Sequence, residues 1–251
     1  MSEPFLSVVV PVLNEEACIA SFIDRMRTEV SRLVPSWEIV AVDDGSTDRT
    51  RDIVEAHARQ DQRVRLVRMD HRGKGAAVKR GLLEARGEWR FMADADLAMP
   101  PDNLARFLDV TRNGPPPDLA IGSREAAGAK RIGEPWSRHA IGRVFNWVVR
   151  SLAVPGIQDT QCGFKLLHAG AVGRIVPHLT VDGFAFDVEM LMLARRAGLT
   201  VREVGITWYA RPETRVSLGR GGAAFLDILK IRWRLASPFA RPPRSAPYER
   251  H

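Results

Sequence analysis

Cysteine is scarce in this chain of 251 residues: there are two, Cys18 and Cys162. They give neither metal-ligand spacing nor a disulfide framework, so a reduced, cytoplasmic protein is the expectation. Long apolar runs are missing too. None approaches the roughly 18–20 residues that span a bilayer. The opening, Met1 to Leu13, has no basic leader region and reads as a strand. No internal repeat is present. The first strand-to-helix turn lacks a Gly-x-Gly-x-x-Gly, which argues against a dinucleotide-dependent oxidoreductase. Acidic residues are the minority charge, 30 against 37 Lys and Arg, for a net charge of +7. That excess points to an anionic partner: nucleic acid, a membrane surface or a phosphorylated substrate. Phe and Trp are not interleaved with the basic residues as in a base-stacking platform, so nucleic acid is the weakest of the three.

What is present is a globular composition, 45% hydrophobic, long enough for one large α/β domain or two small ones. Leu6 to Val12 is a β-branched run that reads as a buried parallel strand. Asn14 follows as a helix N-cap, with Glu15 and Glu16 in the first turn and Ile19, Phe22, Ile23, Met26 and Val30 at helical spacing. Strands at Trp37 to Val42, Val64 to Met69 and Trp89 to Ala93 alternate with helices around Ile53 to Ala58 and Val78 to Leu83. The third helix is opened by Gly73-Lys74-Gly75 and closed by Gly87. This alternation predicts an α/β fold, a Rossmann-like, mostly parallel sheet with helices on both faces. Further on, helices are expected after Pro100-Pro101, over Trp136 to Ala153 and over Ala185 to Ala197, with strands at Asp118 to Gly122 and Val201 to Trp208. The Pro- and Arg-rich last ten residues read as disordered.

Polar clusters follow three of the strands: Asn14-Glu15, Asp43 to Asp48, and Asp94-Ala95-Asp96. Parallel strands end on one edge, where ligands of open α/β sheets bind. About five carboxylates would converge there. Each like-charged pair near 4 Å costs roughly 4 kcal/mol at an effective dielectric of about 20, and a bound cation would relieve it. Asp94 and Asp96 are the candidate ligands for Mg²⁺ or Mn²⁺, which take one or two carboxylates and share the rest with phosphates. A solvated turn gives the same Asp-x-Asp pattern. Asp43 suits an N–H of uracil or guanine, or ribose hydroxyls. Lys74 suits a phosphate, although a plain strand-to-helix turn would also read Gly-Lys-Gly. Asp48 or Thr47 has the alternative of capping the next helix.

Pro11-Val12-Leu13-Asn14-Glu15, Val42-Asp43-Asp44-Gly45-Ser46-Thr47-Asp48, Gly73-Lys74-Gly75 and Asp94-Ala95-Asp96-Leu97 together resemble glycosyltransferase family 2, with its GT-A fold. Gly122-Ser123-Arg124, Asp159-Thr160-Gln161-Cys162-Gly163-Phe164-Lys165 and Phe186-Asp187-Val188-Glu189 are similar to the dolichyl-phosphate glucosyltransferase and mannosyltransferase branch, the glucosyl type being nearer. The resemblance covers roughly residues 6–210. It implies inverting transfer of a hexose from a nucleotide diphosphate sugar to a polyprenyl or dolichyl phosphate, with UDP-glucose preferred over GDP-mannose. By position, it implies that Pro11, Leu13, Asn14, Glu15, Asp43, Asp44, Ser46, Lys74, Asp94 and Ala95 meet the nucleotide sugar. It also implies that Asp94 and Asp96 hold the metal and Arg124 meets the acceptor phosphate. Relatives of the glucosyl branch often carry membrane helices at an end of the chain, and no such run is present here.

A phosphate nucleophile is already anionic and needs little help from a general base. It needs cations, and Arg124, helped by Arg131, Arg138 or Lys165, can supply them, Arg binding phosphate in a bidentate fork. Asp159 and Gln161 are candidates for the sugar hydroxyls, and Asp159 could instead orient an arginine. Asp187 and Glu189 have the same two options, with an ion pair from Glu189 to Arg195 or Arg196 as a third. Residues 1–215 read as the catalytic domain. Residues 216–251 read as a basic amphipathic helix and tail. Past Ala210 the chain carries eight Arg and one Lys against Glu213, Asp227 and Glu249. Phe225, Ile228, Leu229, Trp233 and Ala236 can share one apolar face, flanked by Lys230, Arg232 and Arg234. That suits peripheral attachment to the inner face of a membrane, and packing on the domain is the other reading.

Overall fold

The structure, a computed structural model, describes residues 3–133, 154–210 and 227–235. Its centre is β1 (Leu6–Val12), a Val-rich strand buried along almost its whole length. β1 pairs in parallel with β2 (Trp37–Asp44) on one side and β4 (Trp89–Met92) on the other. β3 (Val64–Met69), β5 (Leu119–Ser123), β7 (Lys165–His168) and β8 (Val201–Gly205) complete a seven-stranded sheet in the order β3-β2-β1-β4-β7-β5-β8. All pairs are parallel except those of β7, which runs antiparallel between β4 and β5. A second, two-stranded parallel sheet joins β6 (Lys130–Ile132) to β9 (Thr207–Tyr209).

Both faces are covered, as the unbroken apolar strands demand. One face packs α1 (Ile19–Leu33), α2 (Thr50–Gln60) and α4 (Asn103–Arg112) around Phe22, Met26, Phe91, Phe107 and Phe164. Phe91 meets Phe107 and Phe164 edge to face, with ring centroids 5.1 and 4.9 Å apart. The other face packs α3 (Lys74–Glu84), α5 (Ala169–Ile175) and α6 (Phe186–Arg196) around Val78, Leu82, Val172, Phe186 and Met190.

The chain leaves β1 for β2 and β3 on one side and crosses to β4 on the other. The break in strand order therefore lies between β1 and β4, and their carboxyl ends open the crevice where such sheets take ligands. Because β7 is reversed, its first residue, Lys165, lies beside Met92 and Ile121 at that same edge. Residues 159–164 and Arg124, which follows β5, are thus delivered to the crevice with the three acidic turns.

Several expectations are corrected. Residues 201–208 are two strands, because Ile206 bridges the sheets: its N–H donates to Ser123 and its carbonyl accepts from Lys130. α3 ends at Glu84 with Ala85 as its C-cap, and Gly87 is small for another reason, since a Cβ there would lie 2.6 Å from the backbone nitrogen of Ser7. The helix expected over Trp136 to Ala153 and the disorder expected of the last ten residues concern positions outside the described residues.

Candidate active site

The turn after β1 is tied to the turn after β2. Asn14 takes a left-handed backbone with φ of 53°. Its N–H donates to Ser46 Oγ at 3.0 Å, and its Oδ1 accepts from the Thr47 N–H at 2.8 Å. It is therefore not the cap of α1, which begins at Ile19 after Cys18. Glu15 donates its N–H to Thr50 Oγ1, and Glu16 donates its own to Asp48 Oδ2. The other oxygen of Asp48 accepts from the Thr50 N–H in a turn just ahead of α2, whose N-cap is Arg49 rather than Asp48 or Thr47.

Asp43 is fully buried and accepts from the Ser46 N–H at 3.0 Å and from Arg51 Nε. Asp44 accepts from the N–H groups of Arg72 (2.8 Å) and Gly73 (2.9 Å), with His71 Nδ1 at 2.9 Å. The crowding of uncompensated carboxylates expected at this edge is not found, because protein donors already meet them. Pro11 stands opposite Val42 in the sheet, with Leu13 just past the end of β1 and Asp43 opposite Val12.

Asp94 and Asp96 follow β4. Asp94 Oδ1 lies 2.6 Å from Lys74 Nζ, the first residue of α3. On its far side Asp94 rests on Gly163, where a Cβ would come within 2.1 Å of Oδ2. Asp96 Oδ1 accepts from the Ala98 N–H at 2.9 Å across a turn in which Leu97 has φ of 57°, and Ala95 between the two carboxylates is buried. Among the described residues no cluster of three or more His, Cys, Asp or Glu could hold a metal. A two-carboxylate set still fits Mg²⁺ or Mn²⁺, which complete their shells with water and phosphate.

Burial alone would lower the Lys74 ammonium, but Asp94, Asp187 and Asp96 outweigh it and hold its pKa above the ordinary lysine value. Asp187, buried at the start of α6, is driven the other way: burial lifts its carboxyl above the usual range, against the pull of Lys165 and Lys74. Lys165 is 1% exposed and donates to Asp187 and to the Cys162 carbonyl. It therefore lies beneath the site and is not placed to meet an acceptor phosphate.

Arg124 lies across the crevice. Its Nε and Nη2 donate to the two oxygens of Asp159 at 2.7 and 2.9 Å, and its backbone N–H donates at 3.0 Å. Its guanidinium carbon stands 5.6 Å from the centre of the Trp208 ring. Asp159 is buried and accepts from the Gln161 N–H as well, so the carboxylate expected at the sugar is committed to orienting Arg124. Burial would raise its pKa, but Arg124 prevails and holds it below the carboxylate norm. Arg131 donates to the Arg124 carbonyl and pairs with Glu125. Burial pushes the Cys162 thiol up to about 12, which keeps it a thiol beside Met99 and no nucleophile. Arg138 lies outside the described residues.

The family model for Glycosyl transferase family 2 matches residues 7–173. The chain belongs to this family. The dolichyl-phosphate beta-glucosyltransferase of Dictyostelium discoideum is 35% identical over 246 residues, covering 92% of this chain and 74% of that protein. The Saccharomyces cerevisiae protein of the same name is 33% identical over 237 residues, covering 86% and 70%. A crystal structure of glucosyl-3-phosphoglycerate synthase from Mycobacterium tuberculosis, in complex with Mn²⁺, uridine diphosphate and phosphoglyceric acid, superposes with a TM-score of 0.69 at 22% identity. It covers 91% of this chain and 77% of that one. The fold is therefore GT-A, and the chain is a glycosyltransferase of family 2.

One element of this family 2 enzyme was only half legible. Residues 227–235 are helical, and Ile228 and Ile231 are buried, Ile228 against Val188 and Met192 of α6. Leu229 and Trp233 point away and are 41% and 82% exposed. The single shared apolar face is thus two faces; Phe225 and Ala236 lie outside the described residues. Arg234 donates to the fully buried Glu189, which also accepts from the Thr180 N–H and Oγ1 and the Val181 N–H. Arg234, rather than Arg195 or Arg196, is its ion-pair partner. No helix among the described residues is long and apolar enough to cross a membrane.

Proposed function

We propose that this enzyme moves glucose from UDP-glucose to the phosphate of a polyprenyl or dolichyl lipid, with inversion. The reading rests on one juxtaposition at the carboxyl edge of the sheet. The Asp94 and Asp96 pair faces the donor side, and Arg124 is held as a fork by buried Asp159 on the acceptor side. The names of the relatives supply the substrate class.

An acceptor phosphate oxygen forms the new bond to the anomeric carbon from the face opposite the leaving group. The bond from that carbon to the β-phosphate oxygen breaks, and its electron pair departs with uridine diphosphate. The nucleophile is anionic at pH 7, so no carboxylate has to remove a proton. Asp94 and Asp96 would hold Mg²⁺ or Mn²⁺, which when bound neutralises charge on the leaving diphosphate. Arg124, with Arg131 close by, lowers the repulsion between two anions and orients the acceptor. Asp43 and the Asn14 turn would meet the base and ribose.

Residues 1–215 form the catalytic domain in this reading, and residues 216–251 its contact with the cytoplasmic face of a membrane. Leu229 and Trp233 present apolar surface beside Lys230 and Arg232, a pattern suited to an anionic leaflet. Binding to anionic vesicles should weaken with salt, and Leu229→Ser with Trp233→Ser should remove it.

The deciding experiment is transfer of radiolabelled sugar from several nucleotide sugars to one polyprenyl phosphate, with and without Mn²⁺. UDP-glucose should be the productive donor. Productive transfer from GDP-mannose alone would overturn the donor assignment. Asp96→Asn should abolish transfer in a folded protein, and full activity in that variant would remove the metal role.

A further inference from the structure

The acidic rim carries its own cation. Lys74 Nζ lies 2.6 Å from Asp94 Oδ1. The backbone around it is anchored on both sides. The Gly73 N–H donates to Asp44, and the Gly75 N–H donates to the Asp182 carbonyl at 2.7 Å. A Cβ at Gly73 would come within 2.5 Å of that carbonyl oxygen, and one at Gly75 within 2.3 Å of the Val181 carbonyl oxygen, so the first turn of α3 is seated tightly against the 181–182 strand of chain. Asp94 is closely backed as well, since a Cβ on Gly163 would come within 2.1 Å of its Oδ2. The lysine, by contrast, has a four-carbon stem with rotatable bonds and is about a quarter exposed.

We propose that Lys74 is a resident counter-ion that a divalent cation must displace from Asp94, so that metal alone binds weakly and metal with a diphosphate binds well. The inference rests on the reading of Asp94 and Asp96 as the metal carboxylates. A dication arriving at this pair meets a cation already in contact with one of its ligands. For the metal to share Asp94, the ammonium has to leave, and leaving strands it unless another anion is near. Asp187 also acts on Lys74, but it already receives Lys165 at its Oδ1, so the ammonium would have to share that carboxylate. A diphosphate brings both a chelating oxygen for the metal and a new anionic partner for the lysine. Loading is then coupled: each of the two ligands removes the obstacle to the other.

The coupling separates Lys74 from a residue that merely binds phosphate. A simple phosphate ligand would have no effect on Mn²⁺ in the absence of nucleotide, whereas a resident counter-ion opposes it. The test is Mn²⁺ binding to the full chain without nucleotide, read by the electron paramagnetic resonance of the free ion. It would be run for the wild type, Lys74→Met, Lys74→Gln and the charge-retaining Lys74→Arg, each checked for folding by circular dichroism. Lys74→Met and Lys74→Gln should bind Mn²⁺ at least tenfold more tightly than wild type, and Lys74→Arg should stay as weak as wild type. Equal or weaker binding in both neutral variants overturns the counter-ion role while leaving the metal site standing. Mn²⁺ that binds none of the proteins, with or without uridine diphosphate, removes the metal site itself.

Discussion

Replacing Asp159 with Asn keeps the shape of the side chain that fixes Arg124 and removes its charge. In the wild type this carboxylate is 1% exposed and receives Nε at 2.7 Å, Nη2 at 2.9 Å and the Arg124 backbone N–H at 3.0 Å. Asn has one acceptor oxygen, so its amide NH₂ must face a guanidinium N–H, donor against donor. Breaking a fully buried pair costs about 3–5 kcal/mol. Arg124 is 28% exposed, so water recovers part of that; a cost of about 2–3 kcal/mol remains after discounting. At roughly 2–4 °C per kcal/mol for a chain of this size, the melting midpoint should fall by about 4–12 °C. Activity should fall further than stability, because a guanidinium displaced by about 1 Å can cost on the order of 100-fold. The loss should appear in kcat and in the KM for lipid phosphate, with the KM for UDP-glucose little changed. Acid supplies an internal control. The folded pKa of Asp159 lies below its ordinary 3.8, so its contribution is full above about 4 and disappears as pH falls through the folded value. Wild type and variant should therefore converge in stability at strongly acid pH. An Asp159→Asn enzyme with an unchanged midpoint and unchanged lipid KM would refute the account of Arg124.

Three further outcomes follow from the same geometry. Gly163→Ala places a methyl within 2.1 Å of Asp94 Oδ2 and 3.0 Å of Met99 Cε; overpacking should cost about 1–3 kcal/mol, with transfer and Mn²⁺ binding lost together, as a paired transfer and metal titration would read. Glu189→Gln leaves Arg234 and the Thr180 and Val181 N–H groups sharing one acceptor oxygen in a buried site. It should cost about 3 kcal/mol in urea unfolding and weaken uridine diphosphate binding, because the 180–182 segment backs Gly75. Cys162→Ala should leave transfer and thiol-reagent sensitivity at the active site unchanged, since its thiol, raised to about 12, is never ionised at working pH; inactivation of the wild type by attack at Cys162 would contradict that.

The βα half of the molecule was readable because three largely apolar strand runs, at 6–12, 37–42 and 89–93, each lead into carboxylates, a pattern that puts a ligand edge in the sequence itself. Its first four strands lie within a residue or two of their expected ends. The partners of the carboxylates were not readable. Asp43 meets Arg51 across the turn into α2, and Asp44 meets residues 71–73 only after β2 and β3 are paired. Lys165 read as a helper of Arg124 at the acceptor phosphate because charge alone decides that guess. Its partner, Asp187, lies 22 residues away on another element, and burial follows from the pair rather than from either residue. β7 has four residues and α5 has seven, too short for periodicity to declare them. The role of Asn14 was missed because an N-cap and a left-handed turn use the same residue type.

Glu189 has a practical consequence for anyone who shortens this protein to make it easier to handle. A cut ahead of residue 227 discards more than the exposed side chains of Leu229 and Trp233. It withdraws a guanidinium from an interior carboxylate whose other contacts lead, through the carbonyl at 182, to the Gly73–Gly75 turn. A truncated enzyme that had lost its sugar nucleotide would then be misread as evidence that membrane and catalysis are one function. Trimming only the outward side chains at 229 and 233 would separate the two.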